Sequence, residues 1–331
     1  MKPLAAALAV AMTAALSAQA ASQLVARDVY LMGTRASLAT YARSRDAGLA
    51  ALQSALTALE RTEAELSTWR QSSEISALNR QAVGTPWRAT PATCRLLDDV
   101  WRWHAATGGA FDPAIGQLLA AWDVHGGGAV PKGVDQARAA KASGLALLAF
   151  DSGQCTATRL SEVTIDAGAF GKGEALDRAA AVMSRDPWMI DLGGQVSAGG
   201  MTGDGWPVAI AHPRNRTRPH ARITLRHGSV STSGGSERDV TVGGTRVGHI
   251  FDPRTGRPAP FGGSVTVWHE RGLVADILST ALYVMGPEDG LQWAAANQVA
   301  ALYLIPEGLS VRTRMTGAFR TASGLTISVP E

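Results

Sequence analysis

The spacing of hydrophobic positions predicts a first half made largely of helices. Near the start, "LVARDVYLMGTRASLATYA" alternates apolar and polar residues around Gly33, which predicts a hairpin or two short strands. Apolar residues then recur every three or four positions over Arg45–Leu66, which predicts a long amphipathic helix. Ser72 or Ser73 can cap a short helix, and "TPATCRLLDDVWRWHAATGGAFDPAIGQLLAAW" predicts two helices around a glycine-rich loop.

The pattern changes after Asp151, where short β-rich runs alternate with glycine turns. The strand candidates are "EVTIDAG", "PWMIDLGG", "WPVAIAHP", "ARITLRHGSVSTSGG", "DVTVGGTRVGHIFDP" and "GSVTVWHE". A helix at about Val274 to Met285 follows, then "EDGLQWAAAN" and the closing strands "VAALYLIPE" and "LTISVP". Hairpin-like neighbours favour an α+β fold, with mixed or antiparallel sheets and flanking helices, over a doubly wound parallel sheet. Because no linker or repeat divides it, the chain is predicted to form one interleaved domain over residues 21–331.

Residues 1–20 have the pattern of a Sec-type signal peptide. A lysine precedes an apolar stretch, and the small-residue ending predicts cleavage after Ala20. The apolar run Pro3–Leu16 is short for a membrane span, and no later segment is long and apolar enough to be one. No cysteine follows the cleavage site, so no lipobox is seen. We therefore expect a periplasmic or otherwise exported protein that is soluble after cleavage and has no transmembrane span.

The composition is that of a folded globular protein, with 46% hydrophobic and 18% charged residues. The net charge is +3 and the arginines are scattered along the sequence, so we expect no nucleic-acid partner. Cys94 and Cys155 are the two cysteines. They could form one disulfide in an oxidising compartment or remain free, and the sequence does not decide between these states. Metal-binding Cys/His spacings are absent from the sequence, which argues against zinc.

The segment "TIDAGAFGKGEALDRAAAVM" (Thr164–Met183) is similar to a phosphate-binding loop. A Walker A loop needs four residues between its glycines and a Ser or Thr after the lysine, whereas here Gly173 follows Lys172. The glycine offsets of a Rossmann turn are also missing. A strand that runs through glycines into a helix N-terminus can still bind an anion, with Lys172 beside it. The alternative is an ordinary strand–turn–helix with an exposed lysine.

Three further stretches carry candidate chemistry. Asp276 and Thr280 lie four residues apart and would share a helix face, where they could be two oxygen ligands for magnesium. The alternative is a first-turn aspartate and a packed threonine. "GHIFDPRTGRP" places His249 close to a turn, and "GGAFDPAIG" places Phe111 and Asp112 on a glycine-supported loop that could meet a ring system.

Taken together and in order, these segments resemble the ApbE family, the FAD:protein FMN transferases. The matching strings are "MGT", "LSTWRQSSEISALN", "GGAFDPAIGQLLAAW", "IDAGAFGKGEALD", "IDLGGQVSAGG", "VSTSGGSER", "GHIFDPRTGRP" and "SVTVWHERGLVADILSTALYVMG". They extend over nearly the whole chain after residue 31. The resemblance rests on eight motifs in register, because none of them is decisive alone.

The resemblance implies a site that binds FAD with a divalent metal, normally Mg²⁺, at the pyrophosphate. The implied metal ligands are Asp276, Thr280 and the backbone carbonyl of Ala169. His249, Asp276 and Lys172 are the implied catalytic residues, and His249 lies near the reacting phosphates. The positions that match FAD-contacting residues are Met32, Trp69, Ala110, Phe111, Asp112, Asp166, Lys172 and His249.

The implied activity is transfer of FMN from FAD to a Thr or Ser hydroxyl of an exported acceptor protein, with release of AMP. A Mg²⁺-dependent FAD pyrophosphatase and a non-catalytic FAD-binding protein are the alternatives. His249 or an acid near the metal could be the general base. The chain has no "DGxTGA"-like acceptor motif of its own. It departs from the family at Gln195, where many members have Asp, and at Phe170, where an aliphatic residue is usual and a ring is expected to be tolerated.

Overall fold

A computed structural model describes residues 22–328, apart from 184, 201–203, 236–238 and 243–244. The predicted signal peptide lies outside the described residues. Eight strands, all paired antiparallel, form the main sheet. Their order across the sheet is β1 (Gln23–Leu31), β2 (Thr34–Ala42), β6 (Trp188–Leu192), β7 (Gln195–Gly199), β10 (Gly228–Gly234), β15 (Ser264–His269), β16 (Ala300–Glu307) and β17 (Ser310–Met315). This architecture, with helices against the sheet, confirms the predicted α+β fold and its single domain. No described helix is long and apolar enough to cross a membrane.

The strands of the described residues follow the turn signals in the sequence. They are β1 (Gln23–Leu31), β2 (Thr34–Ala42), β3 (Pro86–Arg88), β4 (Leu148–Asp151), β5 (Thr156–Arg159), β6 (Trp188–Leu192), β7 (Gln195–Gly199), β8 (Trp206–His212), β9 (Asn215–Leu225), β10 (Gly228–Gly234), β11 (Val240–Val242), β12 (Thr245–Val247), β13 (Phe251–Asp252), β14 (Arg257–Pro258), β15 (Ser264–His269), β16 (Ala300–Glu307), β17 (Ser310–Met315) and β18 (Leu325–Ser328).

The described residues form nine α-helices. They are α1 (Arg45–Leu66), α2 (Glu74–Arg80), α3 (Pro91–Ala106), α4 (Gly116–Ala121), α5 (Gly133–Lys141), α6 (Gly171–Ala180), α7 (Gly272–Met285), α8 (Pro287–Ala296) and α9 (Gly317–Thr321). Four of these nine, α1, α2, α3 and α9, begin at a Ser or Thr whose side chain caps the first turn. The bounds of α1 are those that the apolar spacing predicts. Ser73, one of the two predicted caps, accepts a hydrogen bond from the Ser76 N–H at 3.0 Å and starts α2.

Two tight hairpins lie at one end of the main sheet. Met32–Gly33 joins β1 to β2 with φ of 52° and 70°, and Gly193–Gly194 joins β6 to β7 with φ of 61° and 89°. Two consecutive residues with positive φ are typical of a type I′ turn, which matches the twist of a hairpin. The pairing of Ala36 with Leu192 sets both turns side by side. This end of the sheet also carries the candidate site.

The main sheet is covered on both faces. Helices α1, α6, α7 and α8 pack against one face, and α7 is buried along almost its whole length. The three-stranded sheet β18-β9-β8 covers the other face through apolar residues such as Ile210, Ile223 and Leu302. Because α7 lies in the interior, a polar residue on it needs partners from neighbouring elements.

The prediction that "EVTIDAG" forms a strand is wrong. Residues 162–168 belong to no strand or sheet. The Asn79 side chain instead donates to the Ile165 carbonyl and accepts from the Ile165 N–H, both at 2.8 Å. One amide therefore satisfies the backbone groups that a neighbouring strand would have paired.

The structure also settles the state of the two cysteines. Cys94, on α3, and Cys155, beside β5, form a disulfide. The bond joins α3 to the small sheet β3-β5-β4. None of the three strands of this sheet was predicted, and neither were α5, β17 and α9.

Candidate active site

The site begins where the N-termini of α6 and α7 cross. A Cβ atom on Gly173 would lie 2.4 Å from the Gly272 carbonyl oxygen, and one on Gly272 would lie 2.9 Å from the Gly173 oxygen. Real Cβ atoms essentially never approach other atoms so closely. The two helices can therefore meet backbone to backbone only because both positions are glycine.

Asp276 is the polar centre of this crossing. It lies one turn into α7, is 3% exposed, and accepts a hydrogen bond from the Gly173 N–H at 3.0 Å through Oδ2. The Lys172 ammonium group lies 3.4 Å from Oδ1. A buried carboxylate is costly unless it is paired, and here a free N–H of the first turn of α6 and a lysine provide that pairing.

Asp177 fixes the start of α7. Its carboxylate accepts hydrogen bonds from the Gly272 N–H and from the Leu273 N–H, the latter at 3.1 Å. Burial raises the pKa of Asp177 to about 6, although these two bonds and the Arg271 guanidinium oppose the rise. Asp177 thus ties α6 to the N-terminal N–H groups of α7, which keeps Lys172 and Asp276 in register.

A row of hydroxyl groups links α7 to β10. Ser231 Oγ lies 3.5 Å from Asp276 Oδ1 and 3.1 Å from Ser279 Oγ. Ser233 Oγ lies 2.9 Å from Ser279 Oγ and 3.5 Å from Thr280 Oγ1. Small side chains let the helix lie close to the strand, and their hydroxyls satisfy one another in the interior.

These groups line an open pocket of about 1060 Å³, its solvent-filled mouth included. Nine of the residues singled out in the sequence meet in its wall: Ala110, Phe111, Asp112, Asp166, Ala169, Lys172, His249, Asp276 and Thr280. The wall also has an apolar part from the α4 region, made of Ile115, Leu119, Val124, Ile250 and Phe251. A pocket with an apolar wall and a few convergent polar groups is typical of a small-molecule site.

Met32 and Trp69 are not among the residues that line this pocket. The Met32 N–H donates to Glu63 Oε1 at 3.1 Å, which holds the β1–β2 turn against α1. Trp69 is 73% exposed, and its ring meets the His125 ring edge-on with centroids 4.9 Å apart. His125 does line the pocket, and its Nε2 lies 3.9 Å from Asp166 Oδ2. The sequence reasoning missed His125, because a single histidine between a helix and three glycines has no distinctive pattern.

Two acidic residues of the pocket organise its loops. Asp112 accepts from the Ala114 N–H at 2.8 Å and from the Leu145 N–H at 2.9 Å. Burial raises the pKa of Asp112, and these backbone donors oppose the rise. Asp166 accepts from the Gly168 N–H at 2.8 Å and so shapes the turn before α6. Each carboxylate thus has a structural partner as well as a place in the pocket wall.

His249 forms a pair with Asp239. Its Nδ1 lies 3.1 Å from Asp239 Oδ1, and its backbone N–H donates to the same oxygen at 3.3 Å. A carboxylate at Nδ1 favours the tautomer with the proton on Nδ1, which leaves the lone pair on Nε2. The Asp–His arrangement is one that can take a proton from a hydroxyl.

Gln195 occupies the place of the acid that many family members have. It is the first residue of β7, and its Nε2 donates to the Gly272 carbonyl at 2.9 Å and to Ser229 Oγ at 3.3 Å. The amide therefore supports the crossing of α6 and α7 without adding a second negative charge beside Asp276. Phe170, the other departure, is fully buried among apolar residues that include Ile165 and Ile277, as expected for a tolerated ring.

The oxygen donors of the pocket fit a magnesium ion whose other ligands come from a bound phosphate. No three His, Cys, Asp or Glu side chains cluster as a metal site within the described residues. The pocket instead provides the Asp276 carboxylate, the Thr280 hydroxyl and the loop that contains Ala169. Mg²⁺ prefers oxygen ligands and is commonly held by one or two carboxylates together with substrate phosphates.

The fold and the site define an α+β protein whose pocket lies at a helix N-terminus and has a lysine and a buried carboxylate in its wall. Residues 32–303 match the family model described as "ApbE family". The chain therefore belongs to the ApbE family.

Known proteins resemble this chain in both sequence and structure. The FAD:protein FMN transferase of Klebsiella pneumoniae (strain 342) is 30% identical over 270 residues, 77% of this chain and 77% of that protein. The Rhodobacter capsulatus enzyme of that name is 34% identical over 249 residues, 72% of this chain and 47% of its own length. The crystal structure of the ApbE protein from Thermotoga maritima superposes with a TM-score of 0.83 and 27% identity, covering 90% of this chain and 98% of that one. The apo flavinyl transferase ApbE from Pseudomonas stutzeri has a TM-score of 0.79 and 27% identity, covering 92% and 98%.

Proposed function

We propose that this protein transfers FMN from FAD to a Thr or Ser hydroxyl of an exported acceptor protein, with Mg²⁺ as cofactor and AMP as leaving group. The observation that carries the proposal is the joint placement of Lys172 and Asp276 in the wall of one pocket, where the Gly173 N–H holds the Asp276 carboxylate. Membership of a family whose curated relatives are FAD:protein FMN transferases supports the same activity.

The pocket suits both parts of the donor molecule. Its apolar wall, with Ile115 and Phe251, and the Ala110–Asp112 loop can accept an isoalloxazine or adenine ring. The polar wall, with Lys172, Ser231 and Thr280, can accept a pyrophosphate. The first turn of α6 adds the partial positive charge of a helix N-terminus at the same place.

Asp276, Thr280 and the Ala169 carbonyl are the residues that would hold Mg²⁺. The bound ion would supply Lewis-acid neutralisation of the pyrophosphate oxygens. Lys172 is a second cation beside Asp276, so the pocket can bind an anion with two positive centres and one buried carboxylate. Such fixed charges stabilise a phosphoryl-transfer transition state without reorganisation during the reaction.

The reaction requires a proton acceptor for the attacking hydroxyl, and His249 is suited to that role. Its Nε2 takes the hydroxyl proton while Asp239 holds the ring by Nδ1. The hydroxyl oxygen forms a bond to the FMN-side phosphorus, and the bond from that phosphorus to the bridging oxygen breaks. AMP leaves with the bridging oxygen, and the acceptor retains FMN as a phosphoester. His249 is thus the general base in this proposal, which selects one of the two candidates left open by the sequence.

The acceptor is proposed to be exported because residues 1–20 have the signal-peptide pattern. A transferase that is secreted before it folds meets its acceptor on the same side of the membrane. The Cys94–Cys155 disulfide is consistent with that oxidising location. N-terminal sequencing of the protein secreted by a bacterial host tests the leader: we expect Ala21 as the first residue, and retention of Met1 would contradict it.

Mass spectrometry tests the activity. The protein is incubated with FAD, Mg²⁺ and a peptide that contains a single threonine in the string Asp-Gly-Ala-Thr-Gly-Ala. We expect the peptide to gain the mass of an FMN phosphoester and AMP to appear in equal amount. FMN and AMP without an adduct would show water as the nucleophile and identify a pyrophosphatase. Unchanged FAD would contradict catalysis and leave a flavin-binding protein.

A further inference from the structure

We refer to the pocket whose wall contains Lys172, His249 and Asp276 as the flavin pocket, in keeping with the proposed function. Outside it, the described residues include an arginine-rich hairpin. Arg214, Arg216 and Arg218 occur at every second position around the turn between β8 and β9, and Arg216 and Arg218 are exposed. The Arg214 guanidinium donates to the Gly308 carbonyl, so the tip of this hairpin lies beside the β16–β17 turn. The fold thus places these alternating arginines at the same end of the main sheet as the flavin pocket.

A second cleft connects this hairpin to the flavin pocket. It is lined by Thr34, Arg35, Ser37, Asp191, Gly193, Gly194 and Arg216. Gly193 lines the flavin pocket as well, so the β6–β7 turn is the wall between the two. We call this region, with the neighbouring Arg214 and Arg218, the arginine cleft.

No side chain of the β6–β7 turn separates the two cavities. The β6–β7 turn is two glycines, and a Cβ atom on Gly194 would meet an Arg216 nitrogen at 3.8 Å. The turn has no side chains, so an extended peptide can cross it from the arginine cleft into the mouth of the flavin pocket.

The charge of the arginine cleft favours an acidic ligand. Arg35 and Arg216 line the cleft, and Arg218 lies exposed two residues further along β9. Asp28 pairs with Arg35 at 3.2 Å and Asp191 lies within the cleft, so carboxylates offset part of this charge. Burial raises the pKa of Asp191, although the Gly194 N–H and Arg35 oppose the rise. Arginine forks bind carboxylates in planar, bidentate geometry.

We propose that the arginine cleft docks an acidic segment of the acceptor protein. The inference rests on the proposed function, since FAD in the flavin pocket must be reached by a hydroxyl on a second protein. A partner held beside the wall at Gly193 and Gly194 delivers its threonine over the turn to the phosphorus. Charge complementarity of this kind acts on encounter rate and orientation as well as on affinity.

Three peptides probe the cleft. All contain the same acceptor sequence, Asp-Gly-Ala-Thr-Gly-Ala. A flexible glycine-serine linker joins it to a tail of four aspartates, four asparagines or four lysines. Adduct formation is followed by mass spectrometry over a range of peptide concentrations. We expect half-maximal rate at an about tenfold lower concentration for the aspartate tail than for the asparagine tail, and the highest concentration for the lysine tail.

Matched charge-reversal variants identify the surface. Arg216→Glu/Arg218→Glu changes the cleft, and Arg43→Glu/Arg45→Glu makes the same change of charge beyond the far end of β2. That end lies about 26 Å from Thr34 along the strand. We expect the first variant to abolish or reverse the preference for the aspartate tail and the second to keep it. The affinity for FAD, measured by flavin fluorescence without peptide, should be that of wild type in both.

Several outcomes would overturn the proposal. One is an equal response of wild type to all three tails, and another is equal loss of tail preference in the two variants. Weaker FAD binding by Arg216→Glu/Arg218→Glu in the absence of peptide would instead place the arginines in the flavin pocket. If wild type forms neither AMP nor adduct, the proposed function fails, and anisotropy of dye-labelled peptides still decides the docking: preferential, Arg216- and Arg218-dependent binding of the aspartate tail supports it, and equal binding of all tails contradicts it.

Discussion

Replacement of Gly173 by alanine tests whether the crossing of α6 and α7 builds the site. The new Cβ atom would lie 2.4 Å from the Gly272 oxygen, and ordinary contacts begin at 3.4 Å, so the helices must separate by about 1 Å. Overpacking of this kind costs about 1–3 kcal/mol, and the gain in helix propensity returns less than about 1 kcal/mol. The same shift lengthens the bond from the Gly173 N–H to Asp276. A displacement of about 1 Å in a catalytic group lowers turnover about 10²-fold.

Two measurements on Gly173→Ala check this reasoning. Urea unfolding followed by tryptophan fluorescence gives the change in free energy of unfolding, and AMP release gives turnover. Gly317→Ala is the matched control, because Gly317 is the first residue of α9 and a Cβ there meets nothing within 4 Å. We expect the control to be neutral or slightly more stable than wild type. If Gly173→Ala equals the control in both stability and turnover, the close contact of the helices is not what positions Asp276.

Three further predictions concern other parts of the site and fold. His249→Ala should lower the FMN transfer rate by about 10²–10⁴ with FAD affinity retained, as measured by flavin fluorescence, and unchanged transfer would place the base elsewhere. Because the pKa of Asp177 is raised to about 6, its contribution to stability is complete below about pH 4 and is lost as the pH rises through about 6. The stability advantage of wild type over Asp177→Asn should therefore shrink by about 3 kcal/mol between pH 4 and pH 7 in urea unfolding, and a constant difference would contradict the raised pKa. Cys94→Ala/Cys155→Ala should lower the free energy of unfolding by about 4 kcal/mol, because the disulfide closes a loop with a sequence separation of 61; equal stability would refute this effect.

Periodic patterns in the sequence predicted the elements that depend on local physics. The bounds of α1 follow directly from its apolar spacing, and α7 begins two residues before the predicted Val274. Asp276 and Thr280 share a helix face, as their spacing of four indicates, and both line the flavin pocket. Local periodicity therefore located the residues at the polar end of the site.

Long-range partners were beyond the reach of such patterns. The segment around Ile165 has the composition of a strand, but its partner is the Asn79 side chain, 86 residues away. His125 lines the pocket because the fold brings its segment beside Asp166. The arginines of β9 carry no cleft signal in the sequence. The β8–β9 hairpin lies beside Gly194, and this position brings Arg216 into the cleft. Each of these features depends on contacts between distant segments.

Asp276 offers the most direct test of the account, which holds that this carboxylate serves the cleavage of FAD. AMP and the FMN adduct on the threonine peptide are measured together for wild type and Asp276→Ala, over a titration of Mg²⁺. We predict one AMP per adduct in wild type, dependence on Mg²⁺, and no turnover in the variant. Unchanged circular dichroism would show that Asp276→Ala is folded. Full Mg²⁺-dependent activity in the folded variant would contradict the role assigned to Asp276 in metal binding and catalysis.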